Sequence, residues 1–473
     1  MDRCDVVVIG AGPCGLTAAM RLRQMGRRVV VLDRAKHRPV RLETMTPGVV
    51  DILRYLGAEE LLAKAGARPV LRRRIVWETR EAIVVEPGPH DTALLVDRAR
   101  LDEALAQAAI ASGALYRPSA RTMSIVAEGE RYLIRYLHDG KENVVRARHV
   151  LDATGRSRAG RSSLAPPLIA LSATFEVALH HSLCDMLVEA LQEGWLLAVR
   201  DGGRLHVTVF DDPARLHATW PGNPQRALEA LIASSTQLTG LTRAGRFEGA
   251  CDAGAYRCDD WQQDGCWKIG DAGLALDPLS SSGVEKSMRL ALQASLAVNT
   301  VLRTDGDSGA ARDFLRDRMD GACAKHVAWT QERYASAWPW PHGAFWRERG
   351  LARPGPQANV QASSWQRAPM DILGVPCVAA DVVFKRVPCA LDDHIAVRPA
   401  VFHRGLSEPV AFAEGIELVP LLHLVAGAHS FPRLIERWSR VVSRDRAVRI
   451  CVWAMRTGIL TSNLPQQFFA PSR

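Results

Sequence analysis

Residues 5–33 read DVVVIGAGPCGLTAAMRLRQMGRRVVVLD and determine the fold that we expect for the chain. An apolar strand, a glycine-rich turn, a helix and a second apolar strand follow one another, which is the order of a dinucleotide-binding βαβ unit. The turn has the pattern G-x-G-x-x-G, in which Gly10 allows the tight turn, Gly12 lets the backbone approach a pyrophosphate and Gly15 lets helix and strand pack closely. The free N–H groups at the helix start would then face the anion.

Asp33 ends the second strand and indicates which dinucleotide binds. A carboxylate at this offset can accept hydrogen bonds from the 2′-hydroxyl of an adenosine ribose, which favours FAD or NAD over NADP. The sequence contains no second glycine fingerprint. A nicotinamide dinucleotide, NADH or NADPH, would therefore bind only transiently as a reductant.

The composition is that of an ordinary globular protein. The 473 residues are 47% hydrophobic and 23% charged, and domains of about 100–200 residues would give two or three structural units. The net charge of +9 is spread along the chain, and its only tight run is Arg72–Arg74, so no nucleic-acid partner is expected. The longest apolar stretch near the C-terminus, residues 416–428, is too short to span a bilayer.

Cysteine usage and the position of the first strand indicate the cellular compartment. Ten cysteines at irregular spacing predict reduced thiols and no zinc site. The first strand begins at about residue 5, which leaves no room for a signal peptide. We therefore expect a cytoplasmic protein without a metal or a membrane span, and the sequence leaves its oligomeric state open.

Two later turns complete a pattern that a flavin requires. Residues 152–155, Asp-Ala-Thr-Gly, end a strand that can lie beside the first βαβ unit. Residues 270–272, Gly-Asp-Ala, end another strand, where a carboxylate can accept from a ribityl hydroxyl. Residues 277–284 then lead into a long helix, whose N-terminal dipole can stabilise negative charge on a reduced isoalloxazine ring. These features predict FAD as the cofactor.

The three motifs, in this order over about residues 1–310, resemble the FAD-dependent monooxygenases of the para-hydroxybenzoate hydroxylase type and the related tryptophan halogenases. The stretch DPLSSSGVEK at residues 277–286 is most similar to flavoproteins that mature tryptophylquinone enzymes. Among these is the monooxygenase that hydroxylates a protein tryptophan during cysteine tryptophylquinone biogenesis in quinohemoprotein amine dehydrogenase. The motifs and the resemblance place these residues at the cofactor: Gly10, Gly12, Pro13, Cys14, Gly15, Asp33, Arg34, Arg41, Arg98, Asp152, Gly155, Gly270, Asp271, Pro278, Ser281, Gly283 and Val284.

The expected fold class is α/β. A Rossmann-like FAD-binding domain of the glutathione-reductase type would be interrupted by a β-rich substrate domain and followed by a helical or mixed C-terminal domain. The expected boundaries are 1–70, 97–165 and 262–336 for the FAD-binding domain, 71–96 and 166–261 for the β-sheet substrate domain, 337–370 for a linker or wrapping loop, and 371–473 for the C-terminal domain.

The resemblance implies a monooxygenase that hydroxylates an aromatic ring through a flavin C4a-hydroperoxide. The expected substrate is a tryptophan side chain of a peptide or protein during quinone cofactor maturation, and the arginine excess favours an acidic protein partner. Glu43 and Glu285 are candidates by loop position for the base that takes a proton, with a helix cap or a surface carboxylate as the alternative role of each. Trp195 is a candidate for the pocket floor or for the core.

Other activities stay open at this point. A small aromatic molecule would require the same flavin chemistry as a peptide-borne tryptophan. Halogenation is disfavoured, because halogenases carry an essential lysine in the early insertion and residues 65–100 contain none. Their W-x-W-x-I-P motif precedes the Gly-Asp-Ala turn, whereas here residues 338–341, WPWP, follow it. A polyprenyl reductase and a non-catalytic assembly factor that keeps FAD for structure are the remaining alternatives.

Overall fold

The structure is a computed structural model. It describes residues 2–34, 42–88, 91–156, 160–177, 184–238, 245–263, 265–340, 342–350 and 374–463. The chain divides into two compact units, one formed by residues 1–302 and 315–356 and the other by residues 303–314 and 357–473.

The described ranges contain both helices and strands. The helices are α1 (Pro13–Gln24), α2 (Gly48–Tyr55), α3 (Glu60–Lys64), α4 (Arg98–Ala111), α5 (Pro213–Thr219), α6 (Pro224–Ala233), α7 (Gly283–Val301), α8 (Ser308–Ala335), α9 (Ala344–Arg349), α10 (Leu418–His423), α11 (Phe431–Trp438) and α12 (Arg444–Arg456). The strands are β1 (Asp2–Arg3), β2 (Val6–Ile9), β3 (Val29–Leu32), β4 (Leu42–Met45), β5 (Arg68–Pro69), β6 (Arg73–Val76), β7 (Ile83–Val85), β8 (Leu94–Asp97), β9 (Leu115–Arg117), β10 (Arg121–Glu128), β11 (Arg131–His138), β12 (Lys141–Ala147), β13 (His149–Asp152), β14 (Arg161–Ser163), β15 (Ile169–Glu176), β16 (Met186–Ala190), β17 (Trp195–Asp201), β18 (Arg204–Asp211), β19 (Arg246–Asp252), β20 (Tyr256–Cys258), β21 (Gln262–Gln263), β22 (Cys266–Lys268), β23 (Leu274–Ala275), β24 (Val375–Val378), β25 (Val383–Ala390), β26 (Ile395–Phe402), β27 (Phe412–Ala413), β28 (Ile416–Glu417) and β29 (Leu460–Asn463).

A six-stranded sheet of order β21-β22-β13-β2-β3-β9 forms the base of the first unit. Strands β22, β13, β2, β3 and β9 run parallel, and β21 pairs antiparallel at the edge. All residues of β2 and β3 are buried, as expected for apolar strands of a parallel sheet that is covered on both faces. The predicted Rossmann-like βαβ unit is thus β2, α1 and β3.

A seven-stranded sheet of order β19-β15-β18-β17-β16-β6-β7 forms the β-rich part of the same unit. Strands β6 and β7 come from before α4 and join strands that follow β14, so the insertion is assembled from two separate segments. One face of this sheet packs against α6, where Leu171, Val207 and Leu228 are buried in one apolar cluster. The opposite face contacts the loop that precedes α7, through an aromatic cluster described below.

Strand β8 belongs to a different sheet from the one that the expected domain boundary assigns to it. Residues 94–96 fall in the predicted substrate domain, yet β8 pairs with β4 and β5 in a separate three-stranded sheet. The reason is that β8 has two buried neighbouring side chains, Leu95 and Val96, at 3% and 0% exposure. Such a strand needs cover on both faces, whereas β7 on the edge of the large sheet is mostly exposed.

The Trp/Pro-rich stretch packs against the seven-stranded sheet. The indole N–H groups of Trp338 and Trp346 donate to the carbonyls of Ala190 and Leu191, both at 3.1 Å. Trp346 is fully buried. Residues 337–340 and 342–350 therefore wrap the sheet as part of the first unit, and residues 351–370 of the expected linker or wrapping loop lie outside the described residues.

The second unit is mixed in secondary structure. It contains the hairpin β25–β26, the pair β24–β29 and helices α10, α11 and α12. Leu418, Leu434, Trp438 and Ile450 are each fully buried in its core. Among the helices of the described residues, none is long and apolar enough to cross a membrane.

Burial of His149 makes the stability of the first unit depend on pH. The imidazole is 7% exposed on β13, and burial lowers its pKa to about 4. In the unfolded chain its pKa is about 6.5, so as the pH falls below that value the unfolded state takes up a proton that the folded state excludes down to about pH 4. This contribution to stability is therefore present above about pH 6.5 and is lost on acidification.

Lowering the pH from about 7 to about 5 should reduce the free energy of unfolding of the wild type. We expect this reduction to be about 2 kcal/mol smaller in His149→Gln, because the substitution removes the buried imidazole. Urea denaturation of the holoenzyme at both pH values measures the difference. His217→Gln, on the exposed side of α5, is the matched control and should follow the wild type. An equal loss in wild type and His149→Gln would contradict the prediction.

Candidate active site

The glycine-rich turn connects β2 to α1 and touches the turn that follows β13. Gly10 has φ +100°, and a Cβ at this position would overlap the carbonyl of Ala153. A Cβ at Gly15 would overlap the carbonyl of Gly10. Helix α1 begins with Gly12 as its N-cap, and no side chain caps it. The arrangement leaves N–H groups of the first helical turn for an anion such as a pyrophosphate.

Asp33 lies beside this turn, as the sequence predicts. It is 6% exposed, accepts from the backbone N–H of Ala11 at 3.4 Å and accepts from the Tyr116 hydroxyl at 3.3 Å. These bonds orient the carboxylate at the end of β3. The next residue, Arg34, is exposed, and Arg41 lies outside the described residues.

Arg98 opens α4 and joins two acidic side chains. Its guanidinium donates to Glu43 at 2.6 Å and to Asp102 at 3.4 Å. Burial disfavours its charge, but the two carboxylates outweigh burial and raise the pKa of Arg98 further above its ordinary value. Its Nε is buried and has no hydrogen-bond partner among the described residues. Glu43 is thus an ion-pair partner of Arg98, and its role as a base stays a prediction.

The third turn is held by a buried lysine that the sequence analysis does not single out. Lys286, 8% exposed, donates from Nζ to Asp271 at 2.9 Å and also to the carbonyl of Leu274. Arg156 lies 3.8 Å from the other carboxylate oxygen of Asp271. Burial opposes ionisation of Asp271, but these positive charges dominate and hold its pKa below the ordinary value. The sequence signal that could have identified Lys286 is its position in the first turn of the helix that follows a nucleotide-binding loop.

The loop before α7 is fixed at its start by Asp277. This buried carboxylate accepts from the backbone N–H of Leu279 at 2.9 Å and from the Tyr334 hydroxyl at 3.0 Å. Burial raises the pKa of Asp277. Pro278 begins a short 3-10 turn, and Ser281 has φ +50°, a conformation that non-glycine residues rarely adopt. The loop passes into α7 at Gly283, followed by Val284.

Glu285 connects two loops instead of projecting freely. Its carboxylate accepts from the Thr46 hydroxyl and from Arg289, the latter at 2.7 Å. A Cβ at Gly48 would overlap this carboxylate. Glu285 therefore ties the loop after β4 to the start of α7, and its role as a base also stays a prediction.

The structure brings the three turns together. Gly10 of the first turn meets Ala153 of the second, where Asp152 accepts from the Thr154 hydroxyl at 2.7 Å and Gly155 has φ +84°. A Cβ at Gly270 of the third turn would lie 2.8 Å from Sγ of Cys14 in the first. The close contact of three turns that are distant along the chain is what a single extended dinucleotide requires.

Comparison with known proteins identifies the family. Residues 3–323 match the family of FAD-binding domains. The chain belongs to this family. The flavoprotein is 23% identical over 369 residues to LodB, a putative FAD-dependent oxidoreductase of Marinomonas mediterranea, over 74% of this chain and 97% of that one. It is also 23% identical to a tryptophan 2-halogenase of Chondromyces crocatus, over 67% of this chain and 65% of that one.

Solved structures share the whole fold of the flavoprotein. The peptidyl tryptophan dihydroxylase QhpG superposes with a TM-score of 0.75 and 24% identity, covering 96% of this chain and 99% of that one. The flavin-dependent halogenase CmlS superposes with a TM-score of 0.76 and 16% identity, covering 98% and 97%. The predicted fold class is confirmed, and the flavoprotein is an FAD-dependent oxidoreductase.

The residues of the three turns fit FAD. The uncapped start of α1 suits its pyrophosphate, Asp33 suits the adenosine ribose, and Asp271 suits the ribityl chain. The unpartnered Nε of Arg98 adds a buried donor beside this group of residues. When bound, FAD supplies the redox chemistry, and the chain supplies binding, orientation and electrostatics. The individual cofactor contacts remain predictions.

The seven-stranded sheet presents a strip of partly exposed side chains beside the flavin loop. Ile75, Val188 and Leu197 pack against the same aromatic cluster as Leu279 of that loop. They alternate along their strands with residues that face α6, so they lie on the opposite face of the sheet. We call these three residues the apolar strip. Trp195, two residues before Leu197, is 2% exposed and stacks on Phe210 at 3.9 Å, so it belongs to the core and not to a pocket floor.

Proposed function

We propose that this flavoprotein hydroxylates the ring of a tryptophan side chain in a peptide or protein. The observation that carries the proposal is the apolar strip. Its three aliphatic side chains are partly exposed and lie on the sheet face that contacts the flavin loop through Leu279. Aliphatic side chains side by side on one sheet face suit the face of an aromatic ring, because burial of apolar area drives such binding.

The likeness to QhpG supports a peptide-borne substrate. That protein is described as a peptidyl tryptophan dihydroxylase essential for tryptophylquinone cofactor biogenesis, and the superposition extends over nearly the entire length of both chains. A peptide substrate differs from a free aromatic molecule in requiring an open approach to the ring. The partly exposed strip is compatible with that approach.

The direct test is a reaction of the holoenzyme with a tryptophan-containing peptide, O2 and NADH or NADPH. We expect a product heavier by one or two oxygen atoms, located on the tryptophan by fragmentation. The same peptide with phenylalanine in place of tryptophan is the control. Added bromide tests halogenation, since a brominated peptide in place of a hydroxylated one would overturn the proposal in favour of the activity named for CmlS.

Filling the apolar strip should block the reaction without loss of flavin. We expect Leu197→Trp to lower the rate of peptide hydroxylation at least about 100-fold, because the larger ring occupies the space over the strip. Flavin content should equal that of the wild type, since Leu197 is not in the three turns. Ile83→Trp, at a 59% exposed position of β7, is the control. A fully active Leu197→Trp enzyme would show that the substrate binds elsewhere.

A further inference from the structure

Three polar side chains, joined by hydrogen bonds, lie across neighbouring strands on the sheet face that carries the apolar strip. Thr174 on β15 lies between His206 on β18 and Glu248 on β19. Its hydroxyl is 2.6 Å from Oε1 of Glu248 and 2.9 Å from Nδ1 of His206. These contacts lie on the face opposite the apolar core. The core residues of β18, which point to the other face, are Leu205, Val207 and Val209.

The hydrogen bonds determine which nitrogen of His206 carries the proton. The Glu248 carboxylate can only accept, so the single hydroxyl proton of Thr174 is donated to it. The Thr174 oxygen must then accept from Nδ1–H of His206. In a neutral imidazole this leaves Nε2 as an acceptor with a free lone pair. No hydrogen bond to Nε2 is found within the part of the chain that the structure describes.

His206 lies on the sheet face that carries the apolar strip. On β18 it alternates with the buried residues that face α6, and it pairs directly with Val199. Leu197 pairs with Thr208, the next residue of β18 on the same face. His206 and Leu197 are therefore diagonal neighbours, about 7–8 Å apart in an antiparallel sheet. This separation is close to the length of a two-ring aromatic system.

We propose that Nε2 of His206 accepts a hydrogen bond from the ring N–H or O–H of an aromatic substrate lying on the apolar strip, with Thr174 and Glu248 as positioning residues. The inference deepens the proposed function and rests on it for the nature of the substrate. An indole N–H or a phenol O–H is the matching donor, and a ring without a polar hydrogen is not.

The surroundings of His206 favour its neutral form, mainly through burial. Burial lowers the pKa of the imidazole, and this effect outweighs the carboxylates of Glu248 and Asp201, which act in the opposite direction. Arg204 and Arg246 add to the lowering. A neutral imidazole near pH 7 is an acceptor at Nε2, whereas a protonated one would repel the N–H of a substrate.

The first test does not depend on any substrate. Holoenzyme with 15N-labelled histidine should give ring signals of the Nδ1–H tautomer for His206, assigned by their absence in His206→Gln. Thr174→Val removes the acceptor for Nδ1–H and should shift His206 toward the ordinary tautomer mixture. An Nε2–H tautomer in the wild type, or no change in Thr174→Val, would overturn the inference.

The second test compares two probes, indole and 1-methylindole, by their perturbation of the flavin spectrum. The wild type should bind indole about tenfold more tightly, which is the value of one hydrogen bond. In His206→Phe the preference should fall to about one, because the acceptor is lost while an aromatic ring remains. His217→Phe, at the exposed site on α5, is the matched control and should keep the preference.

The outcomes separate the inference from the proposed function. A preference that survives in His206→Phe would overturn the inference and leave the binding of an aromatic ring on the apolar strip intact. If neither probe perturbs the flavin, the apolar strip does not bind an aromatic ring and the proposed function fails, and the histidine spectra still decide whether His206 presents a free Nε2. Loss of the preference in His206→Phe together with the Nδ1–H tautomer in the wild type would support both.

Discussion

Gly10→Ala should yield a protein that does not retain FAD and is colourless after purification. A Cβ at this position would overlap the backbone carbonyl of Ala153, so the first and second turns cannot keep their contact. The positive φ of Gly10 adds the strain of a conformation that alanine rarely adopts. We expect the affinity for FAD to fall at least about 100-fold, or about 2.7 kcal/mol.

Reconstitution of the apoprotein with FAD, followed by flavin fluorescence, measures this affinity. Gly26→Ala is a matched control, because Gly26 also has a positive φ, +77°, yet a Cβ there would meet no atom within 4 Å. It should be destabilised by about 1 kcal/mol and should bind FAD normally. A yellow Gly10→Ala protein with normal affinity would show that FAD does not depend on contact between the two turns.

Lys286→Met should destabilise the first unit by about 2–3 kcal/mol. The substitution removes the donor from the Leu274 carbonyl and leaves Arg156, at 3.8 Å, as the ion-pair partner of Asp271 among the described residues. Breaking a fully buried ion pair costs about 3–5 kcal/mol. Here Lys286 is buried but the Asp271 side chain is 34% exposed, so solvent and Arg156 both reduce that cost. Retention of FAD should weaken as well, because Asp271 is the residue expected at the ribityl chain.

Urea denaturation of apoprotein and holoenzyme separates the loss of folding stability from the loss of cofactor affinity. Lys268→Met is the control, since Lys268 pairs with Asp260 at 2.6 Å but the two side chains are 24% and 43% exposed. An exposed pair contributes less than about 1 kcal/mol. Equal effects of the two substitutions would contradict the importance given to the pair of Lys286 with Asp271.

Local sequence was sufficient for the first βαβ unit because each of its elements carries its own signal. Apolar runs predict β2 and β3, and Gly10, Gly12 and Gly15 predict a turn that must approach other backbone closely. The turn at Asp139 and Gly140 is similar. An Asp-Gly pair between two strands is typical of a tight hairpin, and the two residues have the positive φ values, 51° and 74°, that such a turn requires. These features depend on residues that are near one another along the chain.

The partners of the charged side chains could not be predicted in this way. Glu43 and Glu285 appeared equally suited to be a base, and tertiary contacts pair the first with Arg98 and join the second to Thr46. Lys286 was not singled out because its partner Asp271 becomes a neighbour only when the third turn folds back onto α7. Ion pairs form between residues that are distant in sequence, and no local pattern encodes which pair will meet.

The sequence by itself determined that the chain has one dinucleotide-binding βαβ unit, a β-rich insertion and the three turns of a flavin site, because glycine turns and apolar strands are local features. Only the tertiary structure decided that the Trp/Pro-rich stretch covers the seven-stranded sheet and that Trp195 belongs to the core. It also decided that His206 shares a sheet face with Leu197. Alternation along a strand predicts two faces, but which face meets the flavin loop depends on packing between segments far apart in the chain.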